Sequence, residues 1–317
     1  TTLFRSTTGG TLMKVIKVTP RGYCKGVTRA IALARKTAME YPDKNIYVLG
    51  MLVHNRFVMQ ALDQLHIHTI DDKTKTRLAL LQEIPSGSVV IFTAHGVAPA
   101  VKQKAAELGL IGIDASCPDV VKTQAIVQTK LEEGYDVFYI GKAFHPEAEA
   151  VISLSPKVHL ITNMEDIQQL PTTMSKVFVT NQTTMSIFDI ETLFTAIAQA
   201  YPQAEFCEEI CNATRIRQQA IAELDAAEID VLYVVGDKHS NNSNRLAQIA
   251  KEQGIANVFL IDDVHDITDE QLANCKAVAI TAGASTPTYL TNQVIQYLNS
   301  YTPKLAKPIT EVAKILQ

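Results

Sequence analysis

A threefold repeat runs along this chain and limits the folds that it can adopt. Cys24, Cys117 and Cys211 are 93 and 94 residues apart, and each directly precedes a segment with helical patterning. A fixed period of this length indicates repeated supersecondary units that pack on one another. We therefore predict three similar units of about 90 residues, each with a cysteine at the start of a helix.

The apolar patterning predicts the secondary structure of the units. Continuous Val, Ile and Leu runs of four to six residues suit parallel strands that are buried on both faces. Between these runs lie helix-like segments, so we predict an α/β fold of three similar units with parallel sheets in a pseudo-threefold arrangement. Three further segments combine a strand-like run with an acidic turn: LHIHTIDDKTKTRL, KVHLITNMEDIQQL and NVFLIDDVHDITDEQL. The six principal runs are IYVLG, VVIF, DVFYIG, KVFVT, DVLYVVG and AVAITAG.

Domain boundaries follow the same division. Residues 1–12 are rich in Thr, Ser and Gly and lack the apolar core of a secretory signal, so we interpret them as a linker before a native start at Met13. The predicted units are residues 25–116, 117–210 and 211–295, with residues 13–24 joining the third unit and residues 296–317 forming a C-terminal tail.

Composition and charge exclude several function classes. The chain has 317 residues and a net charge of −4, so it lacks the basic footprint of a nucleic-acid-binding protein. Its longest apolar stretches are strand-sized, and we expect no membrane partner. Five cysteines are too few for a disulfide-dense secreted scaffold, so we expect a cytoplasmic protein. In that compartment a cysteine at a special position is more often catalytic or metal-binding than bridged.

Three equivalent thiolates would make a soft-ligand site. Such ligands select zinc, Cu(I) or an iron–sulfur cluster. A closed zinc site uses four ligands, often in Cys-x-x-Cys pairs, and no such pair occurs here. Three ligands and one open position favour a cluster or metal that binds substrate. The alternative is that the cysteines are small core residues, which is our interpretation of Cys207 and Cys275. Cys207 also forms Cys-x3-Cys with Cys211 and is an alternative third ligand.

Polar loops follow the predicted strands. Imidazoles, hydroxyls, amides and helix N-termini in such loops could bind a phosphate or diphosphate, although any one of these residues could be structural. Neither a P-loop nor a G-x-G-x-x-G motif occurs. The residues concerned are His54, His95, His145, Thr183, Thr184, Ser240, Asn241, Asn242 and Ser285.

The tetrapeptide FHPE adds a carboxyl group. If Pro146 begins a helix, Glu147 lies in its first turn and could give a proton to a leaving hydroxyl group. The alternative is that Glu147 only complements the helix dipole. Glu149 would point to a different face.

The motifs PRGYCKGV, VHN, TAHGV, ASCPDVVK, HPE, NQTT, EICNAT, HSNNSNRL and TAGAS resemble those of the LytB-type 4-hydroxy-3-methylbut-2-enyl diphosphate reductases. They occur in family order from about residue 13 to about residue 295. The resemblance implies a trefoil of three α/β units around a central iron–sulfur cluster. It also implies reductive dehydroxylation of the diphosphate substrate to isopentenyl and dimethylallyl diphosphate, the last step of the methylerythritol phosphate route to isoprenoids.

The resemblance also implies roles for single residues. Cys24, Cys117 and Cys211 would hold a 4Fe–4S cluster with one open iron, or a 3Fe–4S cluster if the apical iron is lost. Glu147, Thr183 and His145 would act in catalysis, with Glu147 in the proton relay. The implied substrate-binding residues are His54, His95, His145, Thr183, Ser240, Asn241, Asn242 and Ser285. The family usually has serine where this chain has Asn241, so the contact of that residue stays open.

No flavin or nicotinamide motif occurs, so electrons would come from an external carrier of the ferredoxin or flavodoxin type. Three rival functions stay open. A non-redox iron–sulfur enzyme similar to quinolinate synthase would not consume electrons. An electron carrier or redox sensor would have no substrate pocket. A hydrolase with Cys117 as nucleophile would need no iron.

Overall fold

The computed structural model describes residues 13–171 and 173–317, so the linker predicted at residues 1–12 lies outside the described residues. Within these ranges the chain forms twelve strands. They are β1 (Lys14–Lys17), β2 (Ile46–Leu49), β3 (Ile67–Ile70), β4 (Val89–Phe92), β5 (Ile111–Asp114), β6 (Asp136–Ile140), β7 (Val158–Ile161), β8 (Val177–Asn181), β9 (Glu205–Phe206), β10 (Val231–Val235), β11 (Asn257–Ile261) and β12 (Ala277–Ala282).

Helices connect these strands, and eleven α-helices occur in the described ranges. They are α1 (Lys25–Glu40), α2 (Arg56–Asp63), α3 (Arg77–Leu81), α4 (Pro99–Glu107), α5 (Pro118–Glu132), α6 (Pro146–Ile152), α7 (Met164–Gln169), α8 (Ile187–Ala200), α9 (Asn212–Ala222), α10 (Asn241–Glu252) and α11 (Thr288–Asn299). None of the helices in the described residues is long and apolar enough to cross a membrane.

The strands form three four-stranded sheets in which every neighbouring pair is parallel. The strand orders are β3-β2-β4-β5, β7-β6-β8-β9 and β11-β10-β12-β1. Each sheet thus has the same arrangement, with two central strands, an outer strand beside the first of them and a short fourth strand beside the second. The prediction of an α/β fold built from three similar units with parallel sheets is confirmed.

The chain divides into two compact units. The one-sheet unit comprises residues 13–24, 54–61 and 213–317 and contains the sheet β11-β10-β12-β1. The two-sheet unit comprises residues 25–53 and 62–212, of which residue 172 is not described, and contains the other two sheets. The domain boundaries at residues 25–116, 117–210 and 211–295 stay a prediction.

Burial explains why the principal apolar runs become central strands. Every residue of β4, β8, β10 and β12 is buried, as expected of strands covered on both faces. In the one-sheet unit, Leu232 and Val234 pack with Leu246 and Ile249 of α10. Full burial of one such side chain stabilises the fold by about 1.5–3 kcal/mol.

The short fourth strands β1, β5 and β9 were not predicted from the sequence. They have two to four residues and lack a long apolar run; β1 and β5 are at most partly buried, and both residues of β9 are exposed. Each of them leads within a few residues to one of the three repeated cysteines. Helix α5 begins at Pro118 with Cys117 as its N-cap residue, as predicted.

Candidate active site

The backbone of each repeated cysteine is held in the same way. The cysteine N–H donates to a carbonyl that lies two residues beyond the end of β12, β4 or β8, the equivalent strands of the three sheets. A helix begins at the next residue, and a helix N-terminus favours a thiolate. The hydrogen-bonded pairs are Cys24 with Ala284 (3.0 Å), Cys117 with Ala94 (2.9 Å) and Cys211 with Thr183 (3.0 Å).

All five cysteines are half-buried thiols, and no disulfide joins any two of them in the described chain. The two outside the repeat differ in their surroundings. The Cys207 thiol donates to Glu209 (3.4 Å), and burial, followed by that carboxylate, raises the pKa of Cys207. Burial raises the pKa of Cys275 to about 11. Both thiols therefore stay protonated at neutral pH, as structural cysteines do.

Each of the repeated cysteines has surroundings that suit a thiolate ligand. Among the residues that the structure describes, no three His, Cys, Asp or Glu side chains converge as they would around a single metal ion. Each thiolate of a 4Fe–4S cluster binds a different iron, so such ligands need not meet at one point. Three half-buried thiols, each at a helix N-terminus on an equivalent loop, suit this kind of group.

A four-residue turn follows each of the strands β4, β8 and β12. Its closing hydrogen bond runs from the fourth N–H to the first carbonyl, in Thr93–Gly96 (3.2 Å), Gln182–Met185 (3.2 Å) and Gly283–Thr286 (3.1 Å). The third residue of the turn is His95, Thr184 or Ser285. Three of the predicted polar loops are therefore one repeated structure.

A second repeated loop follows β2, β6 and β10. Each begins with a glycine whose N–H donates to the last residue of the neighbouring strand: Gly50 to Ile70, Gly141 to Ile161 and Gly236 to Ile261. Four residues after the glycine come His54, His145 and Ser240. His145 and Ser240 are the N-cap residues of α6 and α10, and their side chains accept the N–H groups of Glu147 and Ser243.

Glu147 is fully enclosed in the two-sheet unit. It lies in the first turn of α6, as predicted, and is 1 % exposed. The Thr183 N–H donates to Glu147 Oε1 (2.7 Å), and the Thr183 hydroxyl donates to Oε2 (3.0 Å). Because a hydroxyl oxygen can also accept, Thr183 can accept a hydrogen bond from protonated Glu147 as well as donate one to the carboxylate.

Burial raises the pKa of Glu147 to about 7, although the hydrogen bonds from Thr183 and Tyr139 oppose this shift. A carboxyl group with this pKa is protonated over much of the neutral range and can still release its proton there. That property is the one expected of a general acid near neutral pH.

Two of the predicted histidines lie together. The rings of His95 and His145 are edge to face, with centroids 5.6 Å apart. His145 Nδ1 accepts a hydrogen bond from the backbone N–H of Glu147 (3.2 Å). An accepting Nδ1 carries no proton, so His145 is neutral in this arrangement and presents Nε2–H as a donor.

The one-sheet unit brings together its own polar loops. The Ser285 hydroxyl donates to the His54 carbonyl (3.1 Å) and lies 3.5 Å from Ser240 Oγ. Asn242 is 5 % exposed, and its side-chain nitrogen and oxygen have no hydrogen-bond partner among the described residues. Because unpaired buried amides are costly, Asn242 is suited to bind a ligand. Asn241 is half-buried.

The predicted residues are divided between the two units. The two-sheet unit holds Cys117, Cys211, His95, His145, Glu147 and Thr183, and the one-sheet unit holds Cys24, His54, Ser240, Asn241, Asn242 and Ser285. Sequence reasoning missed Ser243, whose buried hydroxyl donates to Ser240 (3.1 Å). It also missed Tyr139, which contacts Glu147 (3.4 Å). The first resembles a surface serine in a polar run, and the second resembles an ordinary strand residue.

A family model, curated relatives and solved structures all match this chain to the same kind of protein. Residues 15–299 match the family model described as LytB protein. The chain is 48% identical over 293 residues to the 4-hydroxy-3-methylbut-2-enyl diphosphate reductase of Anoxybacillus flavithermus, with 92% of each chain covered. A solved structure of the E-1-hydroxy-2-methyl-but-2-enyl-4-diphosphate reductase from Plasmodium falciparum matches with a TM-score of 0.84 and 30% identity, covering 96% of this chain and 97% of that one.

A second solved structure is described as (E)-4-hydroxy-3-methyl-but-2-enyl diphosphate reductase, the terminal enzyme of the non-mevalonate pathway. It matches with a TM-score of 0.65 and 28% identity, covering 92% of this chain and 100% of that one. The family model spans most of the chain, and the relatives are matched over nearly their whole length. This chain therefore belongs to the LytB protein family.

Proposed function

We propose that this protein reduces 4-hydroxy-3-methylbut-2-enyl diphosphate to isopentenyl diphosphate and dimethylallyl diphosphate. The reaction breaks the bond between the allylic carbon and its hydroxyl oxygen. Two electrons and two protons are consumed, and one water molecule leaves with the hydroxyl oxygen. Family membership and the names of the relatives support this substrate and reaction.

The observation that carries the proposal is the Glu147–Thr183 pair. Loss of a hydroxyl group requires a proton on the leaving oxygen, and Glu147 is a buried carboxyl group with a pKa of about 7. In the proposed reaction Thr183 orients this carboxyl group and holds the substrate hydroxyl beside it. Glu147 gives its proton to the leaving oxygen, so that water rather than hydroxide departs.

Cys24, Cys117 and Cys211 would hold a 4Fe–4S cluster with one open iron, or a 3Fe–4S cluster if the apical iron is lost. When bound, the cluster supplies one-electron transfer and a Lewis-acidic iron for the substrate hydroxyl group. The chain has to hold three thiolates in place, and the matching backbone hydrogen bonds of the three cysteines support this role. The electron donor would be a ferredoxin or flavodoxin type carrier.

The proposed diphosphate ligands are His54, His95, His145, Ser240, Asn242 and Ser285, with Asn241 as a further donor. Neutral His145 donates through Nε2, and the buried amide of Asn242 gains the partner that it lacks among the described residues. The helix N-terminus that follows Ser240 adds N–H groups that favour an anion. We place the enzyme in the cytoplasm, where five unbridged thiols stay reduced.

The cysteine assignment is tested by anaerobic purification and assays of iron, sulfide and turnover with a chemical reductant. We expect Cys211→Ser to lose the cluster and activity, whereas the matched variant Cys207→Ser keeps both. The reverse result would make Cys207 the third ligand. An iron-free but active protein would contradict the proposed function and favour a Cys117 hydrolase. Turnover without electron consumption would favour the non-redox alternative.

The acid role is tested by Glu147→Gln, with Glu149→Gln on the exposed side of the same helix as the control. We expect kcat of Glu147→Gln to fall by about 100-fold or more, because general acids contribute at least that much. Glu149→Gln should behave as wild type. Wild-type turnover in Glu147→Gln would show that another group protonates the leaving oxygen.

A further inference from the structure

Tyr139 makes a contact that nothing in the proposed reaction yet uses. It is the fourth residue of the five-residue strand β6 and is 0 % exposed. Its phenol lies 3.4 Å from Glu147 Oε1, and this carboxyl group is its one hydrogen-bond partner among the described residues. The contact is long for an O–H···O hydrogen bond, but a fully buried phenol needs a partner, and Glu147 is the one within reach.

Packing holds the Tyr139 ring in this position. The ring lies in a core that includes Val137, Val151 and Phe178. A Cβ atom on Gly141 would stand 3.0 Å from Tyr139 Cε1, so the ring passes directly under the backbone of the loop that leads to His145. This packing holds the phenol beside Glu147.

The contact with Tyr139 matters when Glu147 is deprotonated. After Glu147 has given up its proton, a carboxylate remains in a site closed to water, and such a charge needs donors. Thr183 provides two of them, and the Tyr139 hydroxyl is a third. We propose that Tyr139 is a positioning residue that stabilises the deprotonated form of Glu147 and so sets how readily it donates its proton. This inference rests on the acid role of Glu147 in the proposed function.

The charged surroundings of Glu147 set the direction of the effect. Burial raises the pKa of Glu147, the hydrogen bonds from Thr183 and from Tyr139 on β6 lower it, and the negative charge of Asp119 on α5 raises it further. On α6 itself, His145 accepts the Glu147 N–H and is neutral in that role. Loss of the Tyr139 hydroxyl therefore removes a donor to the carboxylate, and the pKa of Glu147 should rise.

The direct test uses Tyr139→Phe in the purified protein. Infrared difference spectroscopy follows the carboxyl band of Glu147 during a pH titration, with Glu147→Gln to assign the band. We expect the midpoint to move upward by about 0.5–1 pH unit in Tyr139→Phe. Tyr201→Phe is the matched control, because it removes a buried phenol that donates to the Pro171 carbonyl (3.2 Å) instead. An unchanged midpoint in a folded Tyr139→Phe protein overturns the proposal.

A second variant keeps the ring if Tyr139→Phe fails to fold. 3-Fluorotyrosine at position 139 is a stronger donor of nearly the same size, and we expect it to move the midpoint downward. A shift in the opposite direction, or none, overturns the proposal.

Turnover by the cluster-loaded enzyme gives the third measurement. Because Glu147 must be protonated to act, kcat falls as pH rises through its pKa. In Tyr139→Phe this fall in kcat should occur at higher pH, while KM stays unchanged. If Glu147→Gln were fully active while the infrared midpoint still shifted, the inferred coupling would stand and the acid role would fall, so the two failures are distinguishable.

Discussion

At the scale of single residues, the burial of Glu147 has a thermodynamic consequence. The unfolded chain exposes this carboxyl group at its ordinary pKa of 4.5, whereas burial in the folded protein raises the pKa to about 7. Between these two values the folded state binds a proton that the unfolded state has released. Folding must therefore depend on pH through this residue, apart from any catalytic role.

We predict that Glu147 contributes stability that is fully present below about pH 4.5 and is lost as pH rises through about 7. The free energy of unfolding of wild type relative to Glu147→Gln should fall by about 3 kcal/mol over this range, since one pKa unit corresponds to ~1.4 kcal/mol. Urea denaturation at a series of pH values measures this difference. Glu149→Gln serves as the control. A difference between wild type and Glu147→Gln that is flat in pH would contradict the prediction.

Individual residues also show how far sequence reasoning reached. It predicted Glu147 in the first turn of a helix, because Pro146 marks the helix start. It left the acid and dipole roles open, because burial and the contact with Thr183 depend on a residue 36 positions away. The contact of Tyr139 had no sequence signal, since a tyrosine in an apolar run resembles any core residue.

At the scale of elements, two loops of the one-sheet unit pack against the hydroxyl group of Ser243. Ser243 on α10 is fully buried, and a Cβ atom on either Gly236 or Gly283 would stand 2.2 or 2.1 Å from its Oγ. These glycines lie at the ends of β10 and β12, where the loops with Ser240 and Ser285 begin. Because glycine has no side chain, the two strand ends and the helix can approach each other closely.

We predict that Gly283→Ala destabilises the protein by about 1–3 kcal/mol, the usual cost of overpacking. The double variant Gly283→Ala/Ser243→Ala should recover more than half of this loss, because the added methyl group would meet Ser243 Oγ at 2.1 Å but Cβ at 3.3 Å. Chemical denaturation of the two single variants and the double variant measures the coupling. Strictly additive effects would mean that Ser243 is not the obstacle.

The elements that sequence analysis found and missed differ in burial. The six principal apolar runs became the six central strands, and the three runs with acidic turns became β3, β7 and β11. The fourth strands are held by pairing with a neighbour rather than by their own apolar content. For example, β9 pairs through only two residues, both exposed. Short patterns of this kind cannot be told from loops without their partners.

At the scale of the whole molecule, the third sheet is completed by β1, which precedes the other eleven strands of the described residues. In two sheets the fourth strand follows the third along the chain, as β5 follows β4 and β9 follows β8. In the remaining sheet the fourth position beside β12 is filled by β1. The segment that carries Cys24 thus depends on pairing with a strand more than 250 residues further on.

This pairing can be tested with a matched pair of proline variants in β1. The Lys14 N–H donates to the carbonyl of Lys276 (2.7 Å), directly before β12, and the Val18 N–H donates to that of Ile280 in β12 (2.9 Å). By alternation the N–H of Ile16 faces β12 and that of Val15 faces away. Proline removes the N–H in either variant, but only Ile16→Pro removes a bond of the ladder.

We predict that Ile16→Pro lowers the free energy of unfolding by at least about 1 kcal/mol more than Val15→Pro does, because it also leaves a β12 carbonyl unpaired. Urea denaturation measures the difference, and hydrogen exchange along β12 locates it. Equal losses from the two variants would mean that β1 is held by its side chains rather than by the ladder. In that case the fourth position of this sheet would not be equivalent to β5 and β9, and the repeat would be threefold in its sequence but not in its pairing.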